Sequence, residues 1–168
     1  MIRNMITAAV LTATLATQAA AFDTYTISRH GAWDVTLTAN SDGMYCAAST
    51  ENNRGETFDL TIYPTGTLQL FLLFDGQEET AHLDLDVHIG GAPAWELDQV
   101  FFTPGGAMFE FGEAHTAVEF VVDLQKGTTV AISLRDQRKR YGNWSLTGSR
   151  AAIDSLFECF RRIAGTGA

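Results

Sequence analysis

Cysteine is scarce in this sequence, and the two present, Cys46 and Cys159, stand 113 positions apart. That spacing excludes a C-x-x-C redox pair and a zinc ribbon. Basic charge is equally scarce through most of the chain: Phe22 to Gln125 carries 17 Asp and Glu against two Arg, Arg29 and Arg54. So acidic a surface is a poor partner for nucleic acid. Beyond the first residues, no apolar run approaches the roughly 20 residues that a membrane-spanning helix needs. The short catalytic signatures are missing too, among them G-x-S-x-G, the phosphate-binding P-loop, G-x-G-x-x-G and H-E-x-x-H. No cofactor is implied.

What is present begins with an export signal. Arg3 supplies a basic start, Met5 to Ala16 is apolar and small, and Ala19-Ala20-Ala21 forms an A-x-A site before the chain turns polar after Phe22. Residues 1–21 therefore read as a signal peptide, with no cysteine near the cleavage site to carry a lipid. The mature chain is expected to be periplasmic or secreted and to have no transmembrane segment. An oxidising compartment suits a structural disulfide between Cys46 and Cys159. No linker or internal repeat divides residues 22–168, which read as one β-rich domain with a C-terminal helix.

From Phe22 onward, short strands alternate with turn residues. Trp33 to Thr38, Met44 to Ser49, Thr57 to Tyr63 and Thr67 to Phe74 are strands, and Asp75-Gly76 reads as a hairpin turn into a return strand, Glu79 to Ile89. Two more strands flank Thr103-Pro104-Gly105-Gly106. Glu113 to Lys126 then places Ala117, Phe120, Val121 and Leu124 at helical spacing and ends at Gly127. Strands at Thr128 to Leu134 and Tyr141 to Thr147 precede a last helix, which Ser149 is expected to cap and whose apolar side is Ile153, Leu156, Phe157 and Phe160. The class is α+β, mainly an antiparallel meander or sandwich with one short helix and a C-terminal helix.

Trp33-Asp34-Val35 followed by Cys46, the short helix closed by Lys126-Gly127, a strand pair, and Trp144-Ser145-Leu146-Thr147-Gly148-Ser149 opening a helix with Ala151, Ala152 and Leu156 follow one another in order. This outline resembles small exported proteobacterial proteins of the invasion-associated locus B type, from which it differs in having only two cysteines. The resemblance implies a periplasmic or exported β-rich domain and carries over no catalytic residues.

Two stretches hold candidate chemistry. In Ala81 to Ile89, the residues His82, Asp84, Asp86 and His88 alternate with apolar ones, which puts four potential divalent-metal ligands on one strand face. Same-face neighbours lie about 6.6 Å apart, so one ion cannot hold all four without ligands from another strand. The solvated face of a half-buried strand is the favoured reading. The second stretch is the charged turn from Arg135 to Tyr141. Eight basic residues stand against three acidic ones from Lys126 onward, and the favoured reading is that this basic segment neutralises the acidic strands it packs on. The alternative makes Arg135, Arg138, Lys139 and Arg140 a docking patch for an anionic envelope component or acidic protein. The carboxylate pairs Glu78/Glu79, Glu96/Asp98 and Glu110/Glu113 have no spacing that singles out an acid and a base.

The sequence thus favours a non-enzymatic exported binding or envelope-associated protein. The alternatives are a metal-assisted hydrolase on the His82/Asp84/Asp86/His88 face and a small-molecule or lipid carrier with a pocket between sheet and helices.

Overall fold

Alternating burial shows first how the strands are built. In the computed structural model, which describes residues 23–41, 43–74, 79–135 and 140–165, Leu60 and Ile62 are buried on one face of their strand while Asp59 is left on the other. The chain forms strands β1 (Asp23–His30), β2 (Trp33–Asn40), β3 (Gly43–Glu51), β4 (Thr57–Ile62), β5 (Leu68–Leu73), β6 (Ala81–Ile89), β7 (Trp95–Thr103) and β8 (Gly106–Glu110). Helix α1 (Ala114–Lys126), strands β9 (Thr129–Leu134) and β10 (Arg140–Ser145) and helix α2 (Ser149–Ala164) complete it. This is the α+β, mainly antiparallel β class. The segment 1–21 expected to be a signal peptide, the Asp75-Gly76 turn, Arg138 and Lys139 lie outside the described residues.

All ten strands form one sheet in the order β1-β2-β3-β4-β5-β8-β7-β6-β9-β10. The order corrects one expectation: β5 and β6 are not hairpin partners. β5 pairs with β4 and β8, and β6 pairs with β7 and β9. The reason is the strong apolar match of Leu70 and Leu72 with Phe109 and Ala107 across β8, which wins over the local turn signal. The sheet rolls so that its last strand meets its first half: Trp144 packs on Phe58 (ring centroids 5.7 Å), Tyr141 on Phe74 (4.4 Å), and the Trp144 indole Nε1–H donates to the Glu56 carbonyl at 2.7 Å.

The helices cover one end of this roll. In α1, Phe120, Val121 and Leu124 are buried as the spacing predicts, and the Trp95 indole donates to Asp123 at 3.0 Å. In α2, Ile153 and Leu156 are buried, with Phe157 and Phe160 packed at the rim. Ser149 does not cap α2. Gly148 takes that position with φ +93°, and the Ser149 hydroxyl donates instead to the Leu124 carbonyl at 2.8 Å, locking the two helices together. A glycine is required at 148 because a side chain there would collide with the His30 carbonyl, in a conformation that side chains rarely adopt. Cys46, fully buried on β3, and Cys159 on α2 stand at disulfide distance, Cα to Cα 6.1 Å.

Candidate functional site

The face of β2 to β5 opposite the helices carries a groove of about 820 Å³. Its shape follows from the register. One row of residues runs across the strands as Thr36, Ala47, Thr61, Gln69 and Glu110. Its first three members are small and form a floor. On one side of that row stand Asp59 and Phe71, paired across β4 and β5. On the other stand Tyr45 and Tyr63, whose rings lie 5.5 Å apart. A row of small side chains between two rows of large ones leaves a trough at right angles to the strands.

The Asp59 carboxylate is the group that this trough treats most severely. Burial pushes its pKa up from 3.8 to about 6, and a 2.7 Å hydrogen bond from the Thr61 hydroxyl offsets only part of that rise. Tyr63 feels the same environment: burial raises its pKa, with Tyr45, Asp59 and Glu110 adding to the rise. No Lys, Arg or His lies among the described residues lining the groove. Glu110 accepts a hydrogen bond from the Gln69 amide at 2.8 Å. Sequence reading missed this site, because Asp59 and Glu110 are brought to one groove only through the β5–β8 pairing. The available signal was an acidic residue inside the alternating strand TFDLTIY.

The two stretches singled out in the sequence meet each other elsewhere on the sheet. His82, Asp84, Asp86 and His88 lie along β6, but Arg135, just after β9, occupies the space beside the two aspartates. Its Nε donates to Asp86 at 2.9 Å and its Nη1 to Asp98 at 2.8 Å, while Asp84 lies at 3.7 Å and Glu96 at 3.8 Å. The hydrogen bonds that Arg135 donates to Asp98 and Asp86 raise the guanidinium pKa further above its high ordinary value. A bulge on β7 builds this cage. Gln99, at φ +56°, gives the strand an extra residue opposite Asp84 and donates its N–H to the Asp84 carboxylate at 3.1 Å. The flanking histidines are engaged apart from the cage: His88 shares a 2.9 Å hydrogen bond with Ser133, and His82 packs on the Phe101 ring at 5.3 Å. Among the described residues, no three His, Cys, Asp or Glu converge on a point that would hold a metal ion. Arg135 therefore faces the acidic strands and not an outside partner, and Arg140 is exposed at the start of β10.

His30 bonds through Nε2 to Ser28 at 3.0 Å and to Ser155 on α2 at 2.9 Å, a relation between histidine and serine that the sequence does not reveal. One imidazole nitrogen shared by two hydroxyls pins β1 to α2. A smaller space of about 300 Å³ opens nearby between the β1–β2 edge and α2, lined by Ile27, Leu37, Cys159 and Ile163. The interior between sheet and helices is otherwise one continuous apolar cluster.

No family model matches the chain, and no curated protein matches it. Among solved structures it is similar to the crystal structure of invasion associated protein B from Bartonella henselae, with 10% identity, a TM-score of 0.58, and coverage of 80% of this chain and 97% of that one. At this identity the likeness is one of fold, and it agrees with the outline read from Trp33 to Leu156.

Proposed function

We propose, from this shared fold, that the protein is an exported, non-enzymatic binding or envelope-associated domain that receives its partner in the groove over β2 to β5. The observation that carries the reading is the groove itself: a trough of about 820 Å³ lined by aromatic rings and by Asp59, a carboxylate whose pKa burial raises to about 6. Keeping an ionised Asp59 there costs stability, as is common at binding sites. The signal-like start and the cysteine pair at disulfide distance support an oxidising compartment, periplasmic or extracellular.

The test is crosslinking in the native host followed by recovery of the exported protein. Replacing Thr36 by Arg fills the floor row, and loss of the crosslinked product with an unchanged Tm is the expected result. Undiminished product would sink the groove reading. The turn at 135–140 is the second reading, as a patch for an anionic partner. It rests on Arg138, Lys139 and Arg140 alone, because Arg135 is held by carboxylates. Charge reversal of those three with loss of product would favour it. A metal-assisted hydrolase has the least support, since Asp84 and Asp86 face Arg135. Stoichiometric metal in protein purified without chelator would revive it.

A further inference from the structure

We infer that the groove over β2 to β5 is a site for a linear alkyl polyamine, its ammonium groups taken by Asp59 and Glu110 and its methylene chain lying across Thr61 between the Tyr45/Tyr63 wall and Phe71. This names the ligand class of the site proposed above and rests on that reading.

Three observations carry it. The first is charge: the described lining holds two carboxylates and no cation. A bound anion would be repelled and a neutral ligand would leave Asp59 uncompensated, whereas an ammonium group supplies the missing counter-charge in a poorly solvated place, where it is worth most. The second is the character of the walls. Tyr45, Tyr63 and Phe71 present aromatic surface beside the carboxylates. Aromatic faces attract alkylammonium groups through their quadrupoles and cover the adjoining methylenes. The hydroxyls of Thr36, Thr38 and Thr61 and the Gln69 amide provide acceptors along the trough for the remaining N–H bonds.

The third is spacing. Asp59 stands opposite Phe71, and Glu110 stands opposite Gln69, so the acids are two strands apart and one same-face step displaced. At the usual sheet dimensions this is about 10 Å across the strands and about 7 Å along them. One small cation cannot neutralise both, and a divalent metal ion would need ligands from both acids at once. A flexible chain with an ammonium at each end satisfies them together.

Calorimetric titration of the mature protein with spermidine tests the inference. Spermidine is expected to bind with one-to-one stoichiometry, and its triacetylated, uncharged derivative is not. Asp59→Asn should weaken binding at least tenfold and Glu110→Gln by a smaller factor. Glu119→Gln, an exposed change on α1, should leave binding unaltered. Asp59 is faced by Tyr63 just after its own strand, Tyr45 on β3 and Glu110 on β8. Its pKa is raised to about 6, so affinity should fall as pH drops through about 6. Absence of spermidine binding overturns the inference, as does equal binding by Asp59→Asn. Calcium binding in place of spermidine would do the same, as would tight binding of an oligolysine peptide without spermidine binding. If spermidine fails while Thr36→Arg still removes the crosslinked product, the ligand class is wrong and the groove reading stands.

Discussion

On β6 and β7, Asp84, Asp86, Glu96 and Asp98 share a single guanidinium, whereas on β4 and β8, Asp59 and Glu110 face a trough with no cation among its described lining. Both sets project from one sheet and are made of the same two residue types. What separates them is the supply of positive charge from the C-terminal segment, which reaches the first set through Arg135 and supplies no cation to the described lining of the second. An acidic strand face is therefore not one kind of surface. Where the counter-charge is built in, the carboxylates fasten β6, β7 and β9 together. Where none is found among the described residues, they line an open trough.

The comparison breaks most sharply at Arg135. Arg135→Gln removes from four carboxylates the cation they share, and removing one partner of such a set strands the others. We expect it to lower Tm more than any other single substitution among these acidic strands, with the loss relieved by added salt and by acid, as thermal unfolding across ionic strength and pH would show. Next is Asp59→Asn, with the opposite sign. The raised pKa of Asp59 means that the folded state is favoured below the unfolded value of 3.8 and loses that advantage as pH rises through about 6. The variant should thus exceed the parent by about 2–3 kcal/mol at pH 8 and match it near pH 3, readable from urea unfolding at the two pH values. Gln69→Arg brings a cation into the trough. It should add up to about 1 kcal/mol at pH 8 and lower the Asp59 pKa, which carboxyl NMR titration reports. The smallest effect belongs to Glu96→Gln. Glu96 is 74% exposed and 3.8 Å from Arg135, so its loss should cost under about 0.5 kcal/mol. A larger cost would mean that the cage acts as a unit.

Much of this architecture is legible along the chain because period and punctuation act locally. TFDLTIY alternates as β4 does, and EAHTAVEFVVDLQK carries the helical stripe that buries Phe120 and Leu124. The errors have a common physical origin in contacts between distant segments. Asp75-Gly76 carries a strong turn signal, but pairing is decided by which apolar faces match, and Leu70 finds Phe109. Ser149 has the chemistry of a cap, yet the carbonyl of Leu124 is the acceptor that folding brings to it. The site was the least legible part. The basic turn and the acidic strand were each visible, and only their meeting at Arg135 shows that they answer one another. Asp59 drew no notice because the lack of a cation among the described residues of its groove is a property of the folded sheet.

The pairing of β5 with β8 also bears on how the molecule comes into being. Strands β1 to β5 are each joined to the next as neighbours, so this part can organise as soon as it is made, in the manner of local contacts that form quickly. Its outermost member is then Leu68–Leu73, LQLFLL, the most apolar strand of the chain. The partner that completes it, Gly106–Glu110, follows only after β6 and β7 have been synthesised. Until then a nascent chain exposes an unpaired hydrophobic edge, the kind of template on which chains add to one another. The time until β8 arrives to cover that edge sets the interval in which aggregation competes with folding.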